Sequence, residues 1–139
     1  MEVRDSTAVR QDVERTSSQV MDMLALKGKT TGAGAAVAPC GGYDADEGVY
    51  RARHPWSLYG VAFADMEKAV ERLRAELPKN GWTIVKDGVD SSKARSPQIV
   101  AESNGRAFSV DVRLQKAGDT GNAPAFIEVT VESACYKSG

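Results

Sequence analysis

The only histidine of the chain, His54, lies in the stretch Arg51-x-Arg53-His54-Pro55-Trp56-x-x-Tyr59. Two guanidinium forks share one face of an extended segment there, with two aromatics just beyond a proline. Arginine can grip a carboxylate or a phosphate through two parallel bonds, and Arg, Trp and Tyr are the residue types enriched where binding energy concentrates. Arg51, Arg53, His54, Trp56 and Tyr59 are therefore the candidate binding residues. A plainer reading competes: Trp56 and Tyr59 cover a core edge while both arginines lie in solvent or pair with Glu128 and Glu132.

Catalysis would need more than the histidine. A Ser or Cys nucleophile recruits an imidazole as base, with an acid to orient it. Such a set is assembled in space, so Ser57 or a distant acid is a partner to look for around His54. Zinc requires three or four ligands, which one His and two distant Cys supply poorly, so no metal is expected. Asp44, Asp46 and Glu47 lack the spacing and terminal Glu of a calcium loop and read as a solvated turn. Gly28-Lys29-Thr30 has the ending of a phosphate-binding loop, but Met23 stands where that motif needs glycine, and a helix precedes it instead of a strand. Gly32-Ala33-Gly34-Ala35-Ala36 follows no strand and reads as loop, not as a dinucleotide turn. No cofactor is expected.

The elements that position these residues come from one domain. The chain has 139 residues, 42% apolar and 27% charged, with a formal net charge of −1. That is the balance of an ordinary globular protein, and it gives no long-range field to draw in nucleic acid. No segment approaches the roughly 18 consecutive apolar residues that span a bilayer. The N-terminus, Met1-Glu2-Val3-Arg4-Asp5, lacks the apolar core of a secretory signal, as in a cytosolic protein or a mature form whose signal has been replaced.

Cys40 and Cys135 lie too far apart for a redox or zinc CxxC pair. They are either two unrelated buried thiols or a long-range disulfide, which requires an oxidising compartment. Placement favours the bridge. Cys40 sits in a small-residue loop before the first strand, and Cys135 ends the last strand on the parity of Ile127, Val129 and Val131.

Residues 1–27 read as a helix, with Asp5, Ser6 and Thr7 as cap oxygens and Gly28 as the stop. Its stripe of Val9, Val13, Val20 and Leu24 is broken by Thr16 and Ser17, so residues 1–8 are expected to fray. Residues 29–46 read as a flexible Gly/Ala-rich loop. Residues 49–54 read as a strand that Pro55 ends, bulges or places at an edge. Residues 64–77 carry Met66, Ala69, Val70, Leu73 and Leu77 at helical spacing. Four strands follow, over 82–86, 98–102, 106–115 and 126–135, with a hairpin about Asn104-Gly105 and a Gly- and Asn-rich loop over 118–124. The order α-β-α-β-β-β-β predicts an α+β domain, an antiparallel sheet of about five strands with two helices on one face.

A wider pattern joins these segments. Ala38-Pro39-Cys40, Tyr50-Arg51-x-Arg53-His54-Pro55-Trp56, Leu73-Arg74-x-Glu76-Leu77-Pro78-Lys79-Asn80-Gly81-Trp82 and Ser133-x-Cys135 together resemble the small secreted or lipid-anchored proteins of actinobacteria. The resemblance implies export, removal of a signal peptide and a Cys40–Cys135 bridge, and it supplies no catalytic residues. The sequence has no visible lipobox cysteine, so any attachment to a membrane would run through an anchor lying outside this chain. The resulting expectation is a non-catalytic extracytoplasmic module that binds a protein or small ligand. The alternatives are an inhibitor or immunity protein for a secreted toxin or hydrolase, and a small enzyme centred on His54.

Overall fold

A computed structural model describes residues 1–116 and 124–139. Helix α1 (Ser6–Leu24) and helix α2 (Phe63–Glu76) lie against an antiparallel sheet of eight strands. The strands are β1 (Lys29–Thr31), β2 (Ala36–Pro39), β3 (Val49–Tyr59), β4 (Trp82–Val89), β5 (Pro97–Ser103), β6 (Phe108–Gln115), β7 (Phe126–Ser133) and β8 (Tyr136–Lys137). The main order is β1-β3-β7-β6-β5-β4, with β2 and β8 also paired to β3. The fold is α+β, as the alternation of apolar and polar residues predicts. Trp56, Val129, Val112 and Ile99 stand in register across four strands on the helix side, while Arg53, Glu132, Ser109 and Glu102 stand in register on the other. One face is core and one is wet. Among the described residues no helix is long and apolar enough to cross a membrane.

The strand count of five is corrected to eight. Two of the extra strands, β1 and β2, come from the segment expected to be loop, residues 29–46. Most of their side chains are exposed, so they carry no buried-face periodicity to read. What holds them is the backbone edge of β3, along which β2 pairs with residues 50–53 and β1 with residues 57–59. Strand β3 also runs on through Pro55 instead of stopping there. The Pro55 carbonyl faces Gly32, in the gap between β1 and β2. In an extended residue the amide position faces the same way, so the missing N–H costs no bond to β7.

Helix α1 ends at Leu24, short of the expected stop at Gly28, with Ala25 in the left-handed region at φ 51°. Its orphan carbonyls find a partner in the other helix. Arg72 donates from Nε to the Leu24 carbonyl at 3.0 Å and from Nη2 to that of Ala25 at 3.2 Å, which also sets a cation at the negative end of the helix dipole. At the opposite end Asp5 caps the helix by accepting from the Ala8 amide. Nearby, the Tyr50 hydroxyl donates to the Arg4 carbonyl at 2.7 Å, and the Arg4 guanidinium pairs with Asp12 and lies over the Tyr136 ring. The loop expected over 118–124 lies outside the described residues except for Pro124.

The disulfide joins Cys40 to Cys135 with their Cα atoms 6.2 Å apart. Its second sulfur is not placed as the strand parity implies. Strand β7 ends at Ser133, and Cys135 lies in the link to β8, half-exposed. Between the pairs Arg53↔Glu132 and Tyr50↔Tyr136, residues 51 and 52 of β3 face residues 133, 134 and 135. This is a bulge of one extra residue. The Ser133 hydroxyl accepts from the Ala52 amide at 2.9 Å across it, and the shift returns Tyr136 to the core face. Pro39 and Tyr136 both pair with Tyr50, so β2 and β8 lie on opposite flanks of β3. The bridge ties those flanks together, and it points to an oxidising, extracytoplasmic environment.

The turn from β4 to β5 is held by one carboxylate. Asp90 accepts from the Ser92 hydroxyl, from the Ser92 and Ser96 amides and from Arg113. The Ser92 hydroxyl is the largest influence holding its pKa below the ordinary 3.8, against the cost of burial.

Two outcomes follow from these locks. Removing the bridge, by reduction or as Cys40→Ser with Cys135→Ser, should lower unfolding free energy by up to about 4–5 kcal/mol for a loop of this length; an unchanged urea midpoint contradicts the clamp. A carboxyl whose folded pKa is lowered stabilises above its unfolded value and loses that contribution as pH falls through the folded one. Asp90→Asn should therefore cost stability at neutral pH, and the gap between variant and parent should close below pH 3.8. A gap that persists unchanged in acid contradicts the assignment.

Candidate functional site

The alternation of β3 divides the five candidate residues. Arg51, Arg53 and Tyr59 lie on the outer face of the sheet, whereas His54 and Trp56 lie on the core face with Tyr50, Ala52 and Leu58. The segment is one site in sequence and two in space.

On the outer face both arginines are already engaged. Arg51 Nη1 and Arg53 Nε each lie 3.0 Å from the Glu132 carboxylate. The next strand continues the pattern: Arg113 pairs with Asp111 at 3.2 Å and with Asp90 at 3.4 Å, and Gln98 donates to both oxygens of Asp111. Arg51 Nε and Gln98 Oε1 are buried without partners among the described residues, but each belongs to a side chain held through its other atoms. A shallow depression of about 410 Å³ lies over this grid. Glu132 thus holds both forks, each through one nitrogen, so less of their positive charge is left for an anion than the sequence implies.

The core face is different where α1 passes over β3. An open cleft of about 450 Å³ lies between the helix and the β1 edge. Its helix side is Glu14, Ser17, Ser18, Met21 and Asp22, its floor is His54 and Trp56, and its far wall is Thr30, Thr31 and Gly32. Gly32, at φ +128°, lets that wall come close. A Cβ there would stand 2.8 Å from the Pro55 carbonyl oxygen and 3.1 Å from the Trp56 Cβ.

Four of the lining side chains set the chemistry around the cleft. Ser17 Oγ and His54 Nδ1 are 2.7 Å apart, joining the middle of α1 to the middle of β3. Trp56 is only 6% exposed, and its indole Nε1 is buried with no acceptor among the described residues. Unlike Arg51 or Gln98, the indole has a single polar atom, so nothing else satisfies it. Among the described residues the Glu14 carboxylate accepts only a long bond, 3.4 Å from the Ala35 amide. A serine against an imidazole is the pairing a nucleophile needs. Here, however, Ser17 is buried inside a helix whose amides are committed to the turn before, so its own helix supplies no oxyanion donors. Among the described residues no group of three or more His, Cys, Asp or Glu is placed to hold a metal.

Of the residues expected to act, His54 and Trp56 reach the cleft, and Glu14, Ser17, Ser18, Met21, Asp22 and the β1 residues join them from elsewhere. One sign of this was present in the sequence. Ser17 interrupts the apolar stripe of α1, and a polar residue on a buried face needs a partner. The β1 wall left no comparable mark, because its side chains are small and exposed.

Comparison with protein-family models, with curated proteins and with solved structures finds no match to the chain.

Ser17→Ala should cost about 1 kcal/mol, because it strands the His54 nitrogen. Arg53→Ala, which breaks an exposed ion pair, should cost less than about 1 kcal/mol. Urea denaturation orders the two, and a larger loss at Arg53 would contradict the division of the faces.

Proposed function

We propose that the chain is a non-catalytic binding module that works outside the cytoplasm, secreted or held at the cell envelope, and takes a small ligand between α1 and the β1–β3 edge. The observation that carries this reading is the open cleft of about 450 Å³, with His54 and Trp56 on its floor and Met21 on its helix side. Small-molecule sites commonly occupy about 300–1,000 Å³ and combine apolar walls with a few convergent polar groups. The bridge between Cys40 and Cys135 supports the compartment.

A second reading, a small hydrolase, is favoured by the Ser17–His54 contact alone. The committed helix amides around Ser17 oppose it. A fluorophosphonate probe discriminates the two, since an adduct on Ser17 would establish the enzyme.

The binding reading is tested by screening small fragments against isotope-labelled protein by NMR. Shifts should gather on the Trp56 indole, Met21 and residues 30–32. Ser18→Trp, at an exposed position facing the cleft, should abolish them without lowering Tm. Shifts that gather instead around Arg53 and Thr130, on the outer face, overturn the assignment.

A further inference from the structure

We infer that Asn104 is a site of spontaneous covalent modification, at which the side-chain amide is lost through a cyclic imide to give aspartate and isoaspartate. The chain has two Asn-Gly pairs, Asn80-Gly81 and Asn104-Gly105. In such a pair the glycine nitrogen can attack the asparagine Cγ, because glycine has no Cβ to shield that nitrogen or to restrict its rotation. The N–Cγ bond forms, the Cγ–Nδ2 bond breaks, and ammonia leaves with the proton of the glycine amide. Water then opens the ring at one of its two carbonyls. The net change is an amide plus water giving a carboxylic acid plus ammonia, with nothing oxidised or reduced.

The fold brings the two pairs together and holds them differently. Asn80 closes the short turn after α2 (Pro78–Asn80), and Asn104 opens the turn that joins β5 to β6. The Asn104 amide donates to the Gly81 carbonyl at 2.8 Å. Both asparagines are exposed, so access to water does not choose between them. Bonding does. Asn80 Nδ2 donates to the Glu76 carbonyl at 2.8 Å. The amides of Asn80 and Trp82, on either side of Gly81, both donate to the Leu77 carbonyl at 3.1 Å. Reaction there requires the side chain to leave the helix end and the Gly81 nitrogen to turn within a backbone pinned on both sides. In the second turn the Phe108 amide donates to the Ser103 hydroxyl at 3.0 Å, and no bond among the described residues holds the Asn104 side chain. A Cβ at Gly105 would meet no atom within 4 Å, so the ring has room to form. Isoaspartate there routes the backbone through the former side chain and lengthens the β5–β6 link by one methylene. Either product adds a negative charge to a depression it shares with Asp12, Gln19 and Trp82.

The test ages the oxidised protein in mildly alkaline buffer and maps its peptides by chromatography and mass spectrometry, which separate the asparagine, aspartate and isoaspartate forms at each pair. Loss of Asn104 should run about tenfold or more ahead of loss of Asn80, the ratio imposed by the extra bonds that must break at Asn80. In the reduced protein in urea those bonds are gone, and the two rates should converge. Equal loss at the two pairs in the folded protein, or faster loss at Asn80, overturns the inference. So does an Asn104 that stays intact. A ratio that persists undiminished in urea overturns it as well, because sequence neighbours and not the fold would then set the rates.

Discussion

The bonding of β3 on both flanks is the constraint from which the rest of the structure takes its form. Eleven residues long, it pairs with β7 and β8 on one side and with β2 and β1 on the other. Between β2 and β1 its second flank lies open at the gap around Pro55, where the chain has no donor to offer. Helix α1 lies across its core face through Val9, Val13, Val20 and Leu24, all fully buried in one apolar cluster. The disulfide closes the first residues of the strand between its two neighbours. A strand fixed this firmly can present different chemistry on its two faces without either disturbing the other.

Those two faces show how the same residue types give opposite results. Outside, guanidinium and carboxylate groups alternate across three strands and neutralise one another, which suits a solvated sheet and contributes little net energy. Beneath the helix, a serine, an imidazole and an indole meet at the edge of the core. There each polar group matters more, because water is scarcer and an unmet bond is costly. Ser17 and His54 bond one another, whereas the indole of Trp56 finds no partner among the described residues. The cleft thus opens where the packed core gives way to polar side chains.

Much of this arrangement was legible in the residues. The spacing of Met66, Ala69, Val70 and Leu73 fixes the buried side of α2, and the alternation of Val110, Val112 and Leu114 fixes that of β6. The partnership of Cys40 with Cys135 was legible too, although the reason given for the second cysteine was not the right one. The one-residue bulge after Ser133 shifts the parity, and sequence spacing alone does not reveal a bulge. The short strands β1 and β2 escaped notice because backbone edges, not apolar side chains, recruit them. Pro55 misled for a related reason: a proline stops a strand only when its amide faces a partner. As for the site, the sequence named two residues of the cleft and three of the opposite face. Neighbours along a strand point alternately up and down, and only the pairing partners show which side holds a cavity.

The central claim is that β3 turns His54 under α1 and away from the arginines beside it. The chain contains a single histidine, so its ring protons give unambiguous nuclear Overhauser contacts. The account predicts cross-peaks from the His54 ring to the Ser17 side chain. Cross-peaks to the side chains of Glu132 and Thr130, without any to Ser17, would contradict it.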